Sequence, residues 1–159
     1  MMRIGHGYDA HRFKPERPLY LGGVLISETD GLLGHSDADV ALHALMDAML
    51  GALALGDIGN FFPPSDETWK DVRSTALLQI VCDKIREEGY ELGNADITIV
   101  AQKPRLAPFI DRMRLAIAET IDVKIEKISI KATTTEKMGF TGREEGIAAE
   151  AVCLLYKNK

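Results

Sequence analysis

The sequence predicts an α/β (α+β) fold. Alternating apolar segments and helix-period apolar stripes are interleaved along the chain, and one strand, helix, strand run has the spacing of a parallel crossover. The composition agrees. Of 159 residues, 46% are hydrophobic and 27% charged, a balance that supports a packed core and excludes collagen, coiled coil and disordered polymer. With no internal repeat, low-complexity tract or Ser/Pro linker, residues 1–159 read as one domain.

In chain order, Arg3 to Phe13 reads as extended, and Leu19-Tyr20-Leu21 with Val24-Leu25-Ile26 around Gly22-Gly23 reads as a hairpin. A helix is expected from about Asp39 to Leu55, closed by Gly56, with Ser36 or Asp37 as its N-cap and acids in its first turn. Pro63-Pro64-Ser65-Asp66 is a loop. A second helix, about Val72 to Glu88, aligns Leu77, Leu78, Val81 and Ile85 and stops at Gly89. Leu92 to Gln102 is a strand around Ile97-Thr98-Ile99-Val100. After Pro104, a helix from about Pro108 to Ile121 turns Phe109, Ile110, Met113, Ile117 and Ile121 inward. A strand from Lys127 to Thr133 completes the β-α-β unit, with parallel pairing expected. Gly139, Gly142 and Gly146 interrupt the chain before a last strand, Ile147 to Tyr156.

The formal charge is −5, unevenly placed. Pro18 to Trp69 contains no Lys or Arg but eight acids, and all four histidines (His6, His11, His35 and His43) precede position 44. This stretch suits either a solvated acidic face or the holding of a cation, and it argues against nucleic acid. Cys82 and Cys153 sit in apolar runs, as buried thiols of a reducing compartment do, so the expected location is cytoplasmic. No signal peptide or membrane span is recognisable, and no membrane partner is expected.

Asp9-Ala10-His11 places two ligand-type side chains on one face of an extended strand, although a lone pair of this kind is common by chance. In the first helix, Asp39, His43 and Asp47 recur every four residues on an otherwise apolar surface. Buried carboxylates there need partners. Asp9, His11 and His43 would make a three-ligand zinc site with an open fourth position, Asp39 and Asp47 holding ring nitrogens, while the plain alternative for His43 is a hydrogen-bonded core histidine. His35-Ser36-Asp37 and Asp57-Ile58-Gly59 flank the helix and serve either capping or function. Lys131 to Arg143 gathers four threonines, Glu136, two lysines and Arg143 at a strand end, with glycines that allow close backbone approach. Such a segment reads either as a polar turn or as a site for diphosphate with Mg²⁺ or Mn²⁺.

The strings GHGYDAH (5–11), GHSDADVALHALMDAMLGALALGDIG (34–59), FFPPSD (61–66) and KATTTEKMGFTGR (131–143) together resemble the 2-C-methyl-D-erythritol 2,4-cyclodiphosphate synthases of the non-mevalonate isoprenoid pathway. The resemblance implies a mixed sheet covered by helices on one face, with sheets packed around a homotrimer axis and active sites between subunits. It implies cyclisation of 4-diphosphocytidyl-2-C-methyl-D-erythritol 2-phosphate with release of CMP. Zn²⁺ would be held by Asp9, His11 and His43, and a second ion, Mg²⁺ or Mn²⁺, by Glu136. His35 and Thr134 match transition-state stabilisers. Substrate contacts would come from Asp9, Ala10, His11, His35, Ser36, Asp57, Ile58, Gly59, Phe62, Pro63, Pro64, Ser65 and Asp66. The cytidine side would use Ala101, Gln102, Lys103, Pro104, Arg105, Leu106, Ala107, Thr133, Thr134, Thr135, Glu136, Phe140 and Arg143. Pro64, Arg105 and Glu144 depart from the commonest pattern, and Pro64 offers no carboxylate. A zinc phosphohydrolase and a non-catalytic cation-binding or isoprenoid-phosphate-binding protein are the competing readings.

Overall fold

A computed structural model describes residues 1–158. Its long first strand, β1 (Met2–Pro15), leads into the expected hairpin of β2 (Leu19–Leu21) and β3 (Val24–Ser27), and β4 (Asp30–Leu32) returns antiparallel to the end of β1. Then follow α1 (Val40–Ala52), the single turn α2 (Ile58–Phe61), α3 (Ser74–Glu87), β5 (Tyr90–Val100), α4 (Ile110–Ile121), β6 (Ile128–Thr133), the single turn α5 (Gly139–Gly142) and β7 (Gly146–Lys157). Pro108 lies in a 3-10 turn that introduces α4, so that helix starts two residues later than its apolar stripe suggests. β4 and α2 are too short to leave a periodic signal.

Five strands form a mixed sheet in the order β4-β1-β7-β5-β6. β5 and β6 pair in parallel through α4, as the β-α-β spacing predicts, and the other contacts are antiparallel. The sheet is covered on one face. Along β7, Ala149, Ala151, Cys153 and Leu155 are buried under helices while Glu150, Val152 and Tyr156 are exposed. β1 repeats the pattern, with Gly5 and Gly7 buried and Ile4, His6 and Tyr8 exposed.

α1 lies across β1 and β7 and is buried nearly all round, as its composition requires. It approaches β1 closely enough to exclude side chains. A Cβ at Gly5 would fall 1.7 Å from the Ala48 carbonyl oxygen, and one at Gly7 would fall 1.9 Å from that of Ala44. Helix and strand therefore meet backbone to backbone.

The start of α1 corrects the sequence expectation. Asp39, rather than Ser36 or Asp37, is the N-cap, and the first turn contains no acid. Its carboxylate accepts Leu42 N–H at 3.1 Å and the N–H groups of Gly22 and Gly23 at 2.9 and 2.8 Å. Both glycines are left-handed, at φ +57° and +79°, and that turn aims two donors at one carboxylate. Asp39 consequently holds no histidine ring. Burial, and then the charge of Asp37, push its carboxyl up to about 7, against the N–H donors that favour the charged form.

Two substitutions test this framework by urea unfolding. Asp39→Ala leaves three N–H donors without their acceptor and is expected to cost about 3 kcal/mol. Gly7→Ala forces α1 off the sheet and is expected to cost about 1–3 kcal/mol, with unchanged stability counting against the backbone contact.

Candidate functional site

Asp9 and His11, two apart on β1, face the same way, and His43 projects onto them from the middle of α1. One ligating atom from each lies within 4.8 Å of the other two. His11 Nε2 and His43 Nδ1 are each 3.0 Å from Asp9 Oδ2, and the rings stand edge to face with centroids 5.5 Å apart. Each ring's other nitrogen is engaged elsewhere. His11 Nδ1 donates to the Leu33 carbonyl at 2.6 Å, and His43 Nε2 is 3.0 Å from Ser74 Oγ and 3.1 Å from Ser36 Oγ. One carboxylate oxygen and two imidazole nitrogens thus converge. Such a set fits a tetrahedral divalent ion of borderline softness with a position left for a ligand. Burial opposes the charge on Asp9, but hydrogen bonds from His11 and His43 outweigh it and hold the carboxyl well below the usual range. Burial likewise would lower His11, and the bond to Asp9 raises it instead.

These three residues border a cavity of about 190 Å³ walled by His35, Ser36, Ile58, Gly59, Phe62, Pro64, Trp69 and Leu77. Its polar loop is fixed by the backbone. Asp71 N–H donates to the His35 carbonyl at 2.8 Å, Asp37 N–H to Val72 at 3.1 Å, and Arg17 donates to the carbonyls of Gly34 and Ser36. His35 Nε2 donates to the Asp66 carbonyl at 3.0 Å. Asp57 caps α2, accepting Asn60 N–H at 3.1 Å, and lies outside the wall. Asp47 accepts Ile58 N–H at 2.8 Å and so anchors this turn, where a histidine partner had been expected; burial raises its carboxyl. Pro63, Ser65 and Asp66 continue the loop beyond the wall, and Ala10 alternates to the opposite face of β1.

A second cavity, of about 240 Å³, is lined by Ala101, Gln102, Pro104, Arg105, Leu106 and Ala107 after β5 and by Ala132, Thr133 and Thr134 at the end of β6. Parallel neighbours end together, and that end of an α/β sheet is where ligands bind. The following loop is clipped to it by Lys137 N–H donating to Gln102 Oε1 at 3.2 Å. Thr135 turns inward, bonded to the Met138 carbonyl and to Thr141 Oγ1, whereas the Glu136 side chain is exposed. Lys103 pairs with Glu144 at 3.3 Å and Arg143 with Glu145 at 2.8 Å; with exposed Phe140, they stand outside this cavity. No residue lines both cavities. A larger cleft of about 510 Å³ opens between the ends of α3, α4 and β5, but it holds no converging metal donors among the described residues.

The YgbB family model matches residues 2–156. The chain belongs to the YgbB family. It is 58% identical over 157 residues to the 2-C-methyl-D-erythritol 2,4-cyclodiphosphate synthase of Vibrio vulnificus, covering 99% of each protein. Among solved structures it is similar to the bifunctional IspDF of Campylobacter jejuni, with TM-score 0.95 and 47% identity over 99% of this chain and 42% of that one. A CDP complex of IspF from Plasmodium falciparum gives TM-score 0.87 and 34% identity, covering 99% of this chain and 97% of that one.

In this YgbB chain, Trp69 and Leu77 complete the first wall; from the sequence Leu77 reads only as part of an apolar helix face, and Trp69 is not marked as a site residue. Trp69 packs edge to face on Phe62, with centroids 5.0 Å apart. Its being the sole tryptophan was the one available signal. Ser74, behind His43, gave none. Asp47→Ala releases the Ile58 N–H, so amide exchange at Ile58 is expected to speed up about tenfold while core amides of α1 keep their rates.

Proposed function

We propose that this chain converts 4-diphosphocytidyl-2-C-methyl-D-erythritol 2-phosphate to 2-C-methyl-D-erythritol 2,4-cyclodiphosphate and CMP, in isoprenoid precursor synthesis. The convergence of Asp9, His11 and His43 beneath His35 and Ser36, in a chain 58% identical end to end to a synthase of that name, carries the reading. An oxygen of the 2-phosphate attacks the β-phosphorus. The new O–P bond replaces the bond to the bridging oxygen, and CMP leaves with that electron pair. No water is consumed and no protein nucleophile is required. The side chains agree: burial pushes the Cys82 thiol up to about 12 and Cys153 up to about 11, so neither supplies a thiolate, and Ser74 is fully buried.

A divalent ion at Asp9, His11 and His43, zinc on this reading, supplies Lewis-acid stabilisation of phosphate charge. Glu136 is exposed in the loop after β6 and would hold a second ion, Mg²⁺ or Mn²⁺, whose charge would offset that of the diphosphate. His35, its ring fixed by the Asp66 carbonyl, and Thr134 stabilise charge as the bond forms. Ser36, the Asp57 to Gly59 turn and the Phe62 to Asp66 loop position the erythritol phosphate. The second cavity takes cytidine, with Thr133 to Glu136, Phe140 and Arg143 beside it.

Two cavities without a shared residue support a homotrimer in which neighbouring copies complete each site. An open sheet face with Ile4, Tyr8, Val152 and Tyr156 exposed supports the same assembly. Buried unpaired cysteines support a cytoplasmic setting, and among the described residues no helix is long and apolar enough to cross a membrane.

Purified protein loaded with zinc and Mg²⁺ should give cyclic diphosphate and CMP in equal amounts by ³¹P NMR and chromatography. Linear phosphates would instead show hydrolysis, and no CMP release would show a binding protein. His43→Ala should lose both zinc and activity, whereas Glu136→Ala should keep zinc and lose its response to Mg²⁺ or Mn²⁺. Wild-type zinc content in His43→Ala would refute the ligand assignment.

A further inference from the structure

Behind His43 lies a second set of buried polar groups with no place in the catalytic roles above. Asp37 and Ser74, the first residue of α3, are both buried, Ser74 completely. Ser74 Oγ lies 2.5 Å from Asp37 Oδ1 and 3.0 Å from His43 Nε2. Asp37 Oδ2 accepts Ser74 N–H at 2.9 Å, satisfying a donor that the N-terminus of α3 leaves over, and Oδ1 also accepts Asp39 N–H at 3.2 Å. On the outer side, Arg73 Nε is 3.4 Å from Asp37 Oδ2. That guanidinium is itself fixed, 3.9 Å above the Tyr20 ring and donating to the Gly23 carbonyl at 3.0 Å.

The hydrogen positions follow from what each group can do. A carboxylate only accepts, so the Ser74 hydroxyl hydrogen points to Asp37. The Ser74 oxygen then offers His43 only lone pairs, and Nε2 must carry the hydrogen. Nδ1, 3.0 Å from the Asp9 carboxylate, also carries a hydrogen in the metal-free protein, and this is the hydrogen a metal ion would replace, which leaves Nε2–H in place and Nδ1 as the coordinating atom. Ser36 Oγ also reaches Nε2, at 3.1 Å, but no carboxylate orients its hydroxyl, so it accommodates either tautomer.

We propose that Asp37 and Ser74 are positioning residues that fix the tautomer and ring direction of His43 for metal binding through Nδ1, an inference that rests on reading Asp9, His11 and His43 as metal ligands. Carboxylate-backed partners of this kind commonly change metal affinity about 10- to 100-fold. Here the carboxylate acts through an interposed hydroxyl. The same Asp37 holds the start of α3, so the helix carrying Leu77 into the cavity wall and the ring of His43 are set by one group.

The test compares wild type, Ser74→Ala, Asp37→Asn and His43→Ala, all labelled with ¹⁵N-histidine. Zinc affinity is read by chelator competition and protonation by long-range ¹H–¹⁵N spectra of the zinc-loaded protein. Wild type should bind one zinc, with His43 protonated at Nε2 and coordinated through Nδ1. Ser74→Ala, folded by circular dichroism, should bind zinc about 10- to 100-fold more weakly and exchange its Nε2–H faster with water. Asp37→Asn should be weaker still, because its amide donates to Ser74 and turns the hydroxyl toward His43; if it does not fold, Ser74→Ala decides alone. The proposal is overturned if Ser74→Ala binds zinc within about twofold of wild type, or if His43 coordinates through Nε2. Wild-type affinity in His43→Ala refutes the ligand reading itself, a separate result from retained affinity in Ser74→Ala alone.

Discussion

The site depends first on a contact between two backbones. Gly5 and Gly7 leave β1 bare where the Ala44 and Ala48 carbonyls rest on it. His43 precedes Ala44 by one residue, and Asp9 follows Gly7 by two, so this contact sets the distance between the two metal-site elements. A methyl group at Gly7 would lift the helix, and the 3.0 Å separation of His43 Nδ1 from Asp9 Oδ2 would go with it. The rest of α1 cannot compensate. Eleven of its thirteen residues are buried against β1, β7 and α3, a packing that resists continuous adjustment.

The acid-rich stretch serves mostly to hold loops, since its carboxylates are taken up by backbone donors. Asp39 takes the hairpin turn and Leu42, Asp47 takes Ile58, Asp57 takes Asn60, and Asp66 takes Thr68. A buried carboxylate without such donors costs several kcal/mol, which explains the pairing of buried Asp39 and half-buried Asp47, whereas exposed Asp57 and Asp66 serve as caps that take up orphan N–H groups at helix starts. The stretch has no cation of its own. Arg17 and Arg73, just outside its two ends, supply the charge, one binding the carbonyls of Gly34 and Ser36 and the other facing Asp37. The −5 net charge therefore reflects a wall locked by its borders, and Asp9, from outside the stretch, is the carboxylate that joins the metal donors.

Residues whose role follows from local spacing were legible before the fold was known. The i, i+2 pair at Asp9 and His11 and the four-residue stripe through His43 required only strand and helix periods. The spacing shows that Asp39 and Asp47 need partners but not which, because both partners lie outside α1 and beyond its helical period: the Gly22-Gly23 turn and the start of α2. The cap position was missed for a local reason. Ala38 is buried and left-handed at φ +58°, a conformation that alanine does not announce, and it turns Asp37 and Asp39 in different directions. Ser74 had no sequence signal because its role exists only where α3 meets α1.

The strand order explains why one chain separates its two cavities. Asp9 on β1 is registered with Ala149 on β7, Ala149 with Ile99 on β5, and Ile99 with Ala132 on β6. The metal donors and the β6 end therefore share a row, three strand spacings or roughly 14 Å apart. Ala149 and Ile99 are fully buried under helices, so the interval on the covered face is core rather than channel. A reaction that joins a phosphate to a diphosphate needs the metal and the nucleotide within a few ångströms of the same phosphorus. On the proposed chemistry, a second copy presenting its β6 end to the metal cavity would meet that requirement, so the strand order of the sheet is in keeping with the proposed assembly.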